Sequence, residues 1–255
     1  MKLRGLNAVV TGAGKGIGRA TALALAREGV NVVVASRTEN DLIDLQKAVA
    51  ALGTGASALP FPGDVSDERQ VAAMADVVTK EFGQIDILVN NVGVGKNGTV
   101  STLATEDYDW IMNTNMRSTW LCTKAFFPPM LERGSGSVIF ISSVAGLAGL
   151  PNEPIYCATK FAQMGFAQSI DYEAYPRNVK VSVIAPGATN THYGFYNKTR
   201  TPGDPILKEF HEPEDIAEAV VFAVCQPPKT RVFLIGMRPM NESLGAGSGT
   251  HFTGE

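Results

Sequence analysis

Short apolar runs alternate along the chain with longer segments whose apolar residues recur at helical spacing. Val32-Val33-Val34 is a β-branched run without polar alternation, which is typical of a strand buried on both faces. An Ala/Leu-rich segment that ends at a glycine, as before Gly29, indicates a helix and its terminus. The strands predicted in this way cover residues 8–10, 31–35, 58–61, 85–89, 137–141, 179–185 and 232–235. The predicted helices cover residues 17–28, 67–82, 106–130, 155–174 and 214–225, with one more behind Thr38.

The alternation of strands and helices predicts repeated βαβ units and hence a parallel sheet. Seven predicted strands indicate an α/β fold, a Rossmann-type doubly wound parallel seven-stranded sheet in three layers of helix, sheet and helix. No linker interrupts residues 1–240, which we interpret as a single domain. A long polar and aromatic loop is predicted over residues 187–211. The glycine-rich residues 241–255 are predicted to form a flexible C-terminal tail.

Composition narrows the class of protein. The 255 residues are 45% hydrophobic and 18% charged, with a formal net charge of −3, so no basic surface for nucleic acid is indicated. No apolar stretch near the start is long enough for a signal peptide or a membrane span. The spacing of the three cysteines fits neither a disulfide framework nor a zinc site, and no other metal site is suggested. We therefore expect a cytoplasmic protein without metal.

A glycine-rich loop follows the first predicted strand, with the sequence Thr11-Gly12-Ala13-Gly14-Lys15-Gly16-Ile17-Gly18. Glycine permits tight turns and leaves no Cβ atom between the chain and a pyrophosphate, and the N-terminus of the following helix attracts phosphate. The spacing is T-G-x-x-x-G-x-G, not the six-residue G-x-G-x-x-G pattern. The loop predicts a dinucleotide site, with a turn that binds no ligand as the alternative.

Tyr156 and Lys160 lie four positions apart on a predicted helix, which places both on one face. An adjacent ammonium favours the phenolate, so it would lower the pKa of the tyrosine toward that of an acid–base catalyst. The alternative for this pair is a core tyrosine beside a surface lysine.

Ser143 follows the predicted strand at 137–141, at the edge where ligands of such sheets bind. We expect its hydroxyl group to hydrogen-bond the substrate oxygen near Tyr156, and Ser142 is the competing candidate for this role.

These motifs occur together and in order, and with them the sequence resembles the short-chain dehydrogenase/reductase family from residue 6 to about residue 236. The glycine loop is similar to the cofactor motif of that family, and Asp64-Val65 resembles its adenine-contact pair. Asn90-Asn91-Val92-Gly93 is similar to its N-N-A-G segment, with Val in place of Ala. Pro186-Gly187 with Thr191 resembles its P-G-x-x-x-T segment. Residues 232–240 depart from the family pattern because they lack its Asp-Gly-Gly turn.

The resemblance implies the roles of individual residues. A break in the predicted helix at Asn115 would free a carbonyl group for a water linked to Lys160. Asn113 is the competing candidate for this role. The implied catalytic residues are Asn115, Ser143, Tyr156 and Lys160. The implied cofactor-binding residues are Gly12, Gly14, Lys15, Gly16, Ile17, Gly18, Ser36, Arg37, Asp64, Val65, Asn91, Gly93, Tyr156, Lys160, Pro186, Gly187, Thr189 and Thr191.

The end of the second predicted strand bears on the choice of cofactor. An acidic residue there binds the ribose hydroxyls of NAD and repels a 2′-phosphate, but this chain has Ser36 and Arg37 instead. Arg37 and Lys15 offer two cations for that phosphate, which favours NADP(H) over NAD(H). The alternative is that Arg37 is a solvated charge that pairs with Glu39.

The chain is thus predicted to be an NADP(H)-dependent short-chain dehydrogenase/reductase, with residues 1–240 as its dinucleotide-binding and catalytic domain. Hydride transfer would be reversible between the nicotinamide and a carbonyl or secondary alcohol, with reduction of a ketone or aldehyde favoured. The alternatives are an NAD-dependent secondary-alcohol dehydrogenase and a non-catalytic NADP-binding redox sensor. The expected partners are a small-molecule substrate and further copies of the chain, as a homodimer or homotetramer, with no nucleic acid and no membrane.

Overall fold

The computed structural model describes residues 3–193 and 201–242. Within these residues the strands, numbered in chain order, are β1 Asn7–Thr11, β2 Asn31–Ser36, β3 Ala58–Pro62, β4 Ile87–Asn90, β5 Gly136–Ile141, β6 Val179–Pro186 and β7 Leu234–Met237. The α-helices are α1 Gly16–Arg27, α2 Glu39–Ala50, α3 Glu68–Phe82, α4 Thr105–Met112, α5 Ser118–Arg133, α6 Pro154–Ala174 and α7 Pro213–Val224. The predicted elements are therefore present, and their ends agree with the predicted ones or differ by at most three residues.

The seven strands form one sheet in the order β3-β2-β1-β4-β5-β6-β7, and every neighbouring pair is parallel. The order reverses direction between β1 and β4, as in doubly wound sheets. The predicted Rossmann-type fold is confirmed. A parallel sheet needs helices on both faces, and that is why its strands lack polar alternation.

Two apolar cores lie on opposite faces of the sheet. Neighbouring residues of a strand supply opposite cores: Val32 and Val34 pack on one side, and Val33 packs on the other. Helices α1, α2 and α7 cover the first face, and α3, α5 and α6 cover the second. All three valines are fully buried, so the sheet is a rigid platform for the loops at its ends.

The helix predicted over residues 106–130 differs from the observed structure. Helix α4 ends at Met112, a π-helical turn covers Asn113–Arg117, and α5 continues to Arg133. The turn lies at the asparagine-containing segment where a break was expected. Pro128 and Pro129, predicted to disturb the end of the helix, lie inside α5. Burial of neighbouring side chains such as Phe127 holds this part of the helix against the sheet despite the missing N–H donors.

Some predictions fall partly outside the described residues. The tail predicted from residue 241 is described only for Asn241 and Glu242, and residues 194–200 of the predicted loop are also outside. Among the described residues, no helix is both long and apolar enough to cross a membrane. The division of the chain into one domain and a tail stays a prediction.

Gly18 fixes how closely α1 approaches the glycine loop. A Cβ atom at this position would lie 2.3 Å from the Gly12 carbonyl oxygen and 2.6 Å from Asn91 Nδ2. We expect Gly18→Ala to lower the free energy of unfolding by more than about 2 kcal/mol, because backbone must move to relieve the overlap. Urea unfolding at neutral pH measures the effect.

The matched control is Gly149→Ala in the loop before α6, where an added Cβ atom would meet nothing within 4 Å and the backbone φ is not positive. This change should leave the free energy of unfolding within about 0.5 kcal/mol of the wild-type value, because it touches no packed group. Equal stability of the two variants would contradict the close approach at Gly18.

Candidate active site

A cleft of about 440 Å³ lies at the carboxyl edge of the sheet, within the size range of small-molecule sites. It extends from the glycine loop to the Tyr156 side chain. The predicted site residues that line it are Gly12, Gly14, Lys15, Gly16, Ile17, Ser36, Arg37, Asp64, Val65, Asn91, Gly93, Ser143, Tyr156, Lys160, Pro186, Gly187, Thr189 and Thr191. The parallel topology thus brings together residues that are far apart in sequence.

Two predicted residues do not line the cleft. Gly18 packs α1 onto the glycine loop, and its predicted contact with the cofactor stays a prediction. Asn115 is fully buried in the π-helical turn. Its amide donates to the Val94 carbonyl at 2.8 Å and accepts from the Val94 amide at 2.7 Å, so Asn115 holds a residue that lines the cleft. The competing Asn113 is exposed.

The glycine loop is held by Asn91, which follows β4. Asn91 Nδ2 donates to the carbonyl groups of Thr11 at 2.9 Å and Gly12 at 3.3 Å. The backbone N–H of Asn91 donates to Thr11 Oγ1 at 3.0 Å. Gly12 has a φ of +64°, a conformation that glycine adopts without strain. These bonds shape the loop from behind and leave its other side facing the cleft.

The cleft has the features expected of a dinucleotide site. Ser36 Oγ, at the end of β2, is buried without a hydrogen-bond partner among the described atoms. A Cβ atom at Gly14 would lie 2.9 Å from that hydroxyl oxygen, so only glycine keeps this corner open. An unpartnered buried hydroxyl beside a glycine loop fits a polar ligand that hydrogen-bonds there.

The same corner contains a carboxylate that sequence reasoning missed. Asp41 lines the cleft, and its Oδ2 atom lies 3.6 Å from Lys15 Nζ. The end of β2 has no acidic residue, as the sequence indicates, but Asp41 of α2 adds a carboxylate to the same corner. Asp41 follows the strand end by five residues, and the first turn of α2 turns it back toward Lys15. Arg37 lines the cleft and is exposed.

Tyr156 lies at the inner part of the cleft. Although the residue is only partly buried, loss of hydration around its hydroxyl group raises its pKa well above the usual range. A hydrogen bond with Ser143 acts in the opposite direction, and the charge of Glu153 adds to the rise. Ser142, the competing serine, instead donates to the Lys160 backbone carbonyl at 3.3 Å.

Lys160 is 2% exposed, and its Nζ atom lies 5.5 Å from the centroid of the Tyr156 ring. It donates to the Ile141 carbonyl at 3.0 Å and to Gln163 Oε1 at 3.0 Å. Burial lowers the pKa of Lys160 to about 7. The expected lowering of the tyrosine pKa is thus not found in these side chains alone, because burial opposes the charged form of both groups.

The segment after β6 forms the far wall of the cleft. Thr189 Oγ1 donates to the Gly187 carbonyl at 3.1 Å, and Thr191 packs beside Gly16. Glu242, a residue that sequence reasoning missed, accepts a hydrogen bond from the Ala188 amide at 2.8 Å. The segment is therefore tied to the chain that follows β7.

The end of the cleft at Tyr156 is lined by Tyr193 and Glu153. The Tyr193 ring lies 5.5 Å from the Tyr156 ring, and its hydroxyl group reaches toward Gly95. Glu153 is a buried carboxyl group on the same wall. Among the described residues no cluster of histidine, cysteine and acidic side chains could hold a metal ion. Cys122, Cys157 and Cys225 form no disulfide bond.

Comparison with known proteins agrees with this geometry. The family model described as short chain dehydrogenase matches residues 6–200. A sepiapterin reductase from Chlorobaculum tepidum is 38% identical over an alignment of 243 positions that covers 92% of this chain and 97% of that protein. The chain belongs to the short-chain dehydrogenase/reductase family, whose members are oxidoreductases acting on CH–OH groups.

Two solved structures show the same fold. An alcohol dehydrogenase from Thermococcus sibiricus, complexed with 5-hydroxy-NADP, has a TM-score of 0.85 at 28% identity and covers 93% of this chain and 98% of its own. A 3-ketoacyl-(acyl-carrier-protein) reductase from Brucella melitensis, complexed with NADH, has a TM-score of 0.83 at 27% identity, with the same coverage of 93% and 98%. Relatives therefore bind cofactors with and without the 2′-phosphate.

The buried Lys160 makes stability depend on pH. Its pKa is about 7 in the folded chain and about 10.5 when unfolded, so between these values the unfolded chain binds the extra proton. Stability of the wild type must rise with pH in this window relative to Lys160→Met, which lacks the group. Thermal unfolding of both proteins at pH 7, 8, 9 and 10 measures the difference. Parallel pH profiles would contradict the lowered pKa.

Proposed function

We propose that the protein is an NADP(H)-dependent carbonyl reductase that also catalyses the reverse reaction, oxidation of the alcohol. The observation that carries this proposal is the single cleft shared by the glycine loop and the pair of Tyr156 and Lys160. Ser36, with its unpartnered hydroxyl group, and the open corner at Gly14 support a dinucleotide in the same cleft. The cofactor-binding residues predicted from the sequence keep that role in the proposal, and Gly18 also shapes the glycine loop.

Tyr156 is the proposed proton donor to the carbonyl oxygen of the substrate. Ser143, which hydrogen-bonds Tyr156, would share the task of holding that oxygen. The nicotinamide supplies the hydride when it is bound. Lys160 would hold the cofactor ribose and place a positive charge behind the phenol group, and Asn115 would position the neighbouring loop through Val94.

The raised pKa of Tyr156 suits the direction of reduction. A buried phenol group stays protonated at neutral pH, which is the form that a proton donor needs. Alcohol oxidation needs the phenolate, and these side chains alone disfavour it. Additional positive charge from an oxidised nicotinamide would act toward the phenolate, since an adjacent cation lowers the pKa of a phenol group.

The preference for NADP(H) depends on the corner at the end of β2. Lys15 and Arg37 are the two cations that would meet a 2′-phosphate. Asp41 opposes them, but its contact with Lys15 at 3.6 Å also holds that lysine at the corner. The NADP analogue in the archaeal alcohol dehydrogenase supports NADP(H), while NADH in the Brucella reductase keeps NAD(H) as the alternative.

We further propose a helix-paired homodimer in the cytoplasm. Trp120 on α5 and Phe161 on α6 are about half exposed, and pairing of these helices between two copies would remove both side chains from water. The altered residues 232–240 make a tetramer the weaker alternative. Sedimentation of the pure protein as a monomer would contradict this assembly.

Tyr156→Phe should reduce turnover by about 100- to 10,000-fold, the usual contribution of a general acid, and leave the Kd for NADPH within about threefold. Oxidation of NADPH, followed by absorbance across a panel of aldehydes, ketones and diketones, measures turnover. The control is Tyr172→Phe, an exposed tyrosine on the same helix, which should behave as wild type. Wild-type turnover by Tyr156→Phe would exclude the mechanism, and absence of turnover by the wild type across the panel would favour a redox sensor.

The cofactor preference is tested at the same corner of the cleft. Ser36→Asp combined with Arg37→Ala should shift binding toward NAD, because the new carboxylate accepts from ribose hydroxyls and repels the phosphate. Lys15→Ala should weaken NADP by about 10- to 100-fold with little effect on NAD, the value of one charge-assisted hydrogen bond. Kd values for both cofactors measure each change.

Asp41→Asn should strengthen NADP binding more than NAD binding, because it removes a negative charge beside the phosphate position. The control is Asp44→Asn, an exposed acid on α2 that pairs with Lys47. Equal affinity of the wild type for both cofactors, or unchanged ratios in all variants, would rule out this account of the corner.

A further inference from the structure

Gln163 is a fully buried polar residue one turn after Lys160 on α6. It neither lines the cleft nor belongs to a motif of the sequence. Its Oε1 atom accepts from Lys160 Nζ at 3.0 Å. Its Nε2 atom donates to the Asn115 carbonyl at 3.3 Å and to Thr119 Oγ1 at 2.9 Å. The side chain therefore bridges the ammonium ion and the π-helical turn.

The orientation of this amide is determined by its neighbours. A flipped amide would direct its NH2 group at the Lys160 ammonium, donor against donor, and its oxygen at the Asn115 carbonyl, acceptor against acceptor. The observed orientation gives both the oxygen and the nitrogen of the amide a hydrogen-bond partner. Because Thr119 and Asn115 hold the nitrogen of the amide, the acceptor oxygen is kept in position independently of Lys160.

The ammonium ion of Lys160 has few other sources of stabilisation. Among the described residues, its hydrogen-bond acceptors are the Ile141 carbonyl and Gln163 Oε1, and it lies 5.5 Å from the centroid of the Tyr156 ring. A charge this deeply buried is costly unless hydrogen bonds compensate it. Gln163 is thus the side chain that both fixes the position of the charge and offsets its burial.

We propose that Gln163 is a positioning residue that holds the Lys160 ammonium ion in place, and in its charged form, behind Tyr156. The inference deepens the proposed function and rests on it for the effect on turnover. The water that the sequence resemblance implies between Lys160 and the Asn115 carbonyl stays a prediction. Here an amide side chain joins these groups directly.

Two near-isosteric variants have opposite expected effects. Gln163→Met removes the acceptor, so Lys160 loses its proton at lower pH. Gln163→Glu keeps the acceptor and adds a negative charge, so Lys160 retains its proton to higher pH. We expect the alkaline limit of NADPH-dependent carbonyl reduction to move down by about one pH unit in the first variant and up in the second, a tenfold change in the ionisation equilibrium. At pH 8, kcat of Gln163→Met should fall about tenfold with KM for the carbonyl probe within twofold.

Thr119→Val tests the same mechanism from the other end, because it removes one anchor of Gln163 and does not touch Lys160. We expect the alkaline limit of carbonyl reduction to move down in this variant, by less than in Gln163→Met. Gln46→Met on α2, whose amide donates to the Ala58 carbonyl, is the control for the substitution and should leave the pH profile unchanged.

A readout without substrate separates this inference from the proposed function. Thermal unfolding of the protein alone between pH 6 and 10 reports the ionisation of Lys160, and its rise with pH should begin earlier in Gln163→Met and later in Gln163→Glu. Opposite shifts without any carbonyl reductase activity would support the role of Gln163 and reject the proposed function. Unshifted profiles, or shifts of both variants in the same direction, would overturn the positioning role.

Discussion

Parallel pairing of all seven strands is the constraint on which the site depends. A sheet paired in this way must have helices on both faces, and every strand then ends at the same edge. Four parts of the site meet at this edge for that reason: the glycine loop after β1, Ser36 at the end of β2, Asn91 after β4 and Ser143 after β5. The reversal of strand order between β1 and β4 opens the crevice that these loops line.

Within the crevice, loss of hydration is the main electrostatic effect. It raises the pKa of Tyr156 and lowers that of Lys160, so each group is shifted toward its neutral form. The hydrogen bonds of Lys160 to Ile141 and Gln163 oppose this effect on the lysine. The catalytic pair that we propose is therefore a balance between burial and a small number of fixed dipoles, rather than a simple ion pair.

The opposite end of the crevice shows how one carboxylate can act in two ways. Asp41 lies 3.6 Å from Lys15, so it holds this cation at the corner where a ribose phosphate would bind. The same negative charge works against a phosphate. The net preference depends on how much of the Asp41 charge the lysine neutralises in a partly exposed site, where solvent weakens each interaction.

The sequence by itself determined the order of elements, because β-branched runs and helical periodicity are local properties that these strands and helices keep in the fold. It also indicated the residues of the glycine loop and the pair of Tyr156 and Lys160, because their spacing is short enough for one turn or one helix to define. Contacts between distant segments were decided only by the tertiary structure. Neither the contact of Asp41 with Lys15 nor that of Glu242 with Ala188 leaves a periodic signal in the chain. Gln163 became informative only when packing of α6 against the π-helical turn brought Asn115 within reach of its amide, because burial turns an ordinary helix residue into a required hydrogen-bond partner.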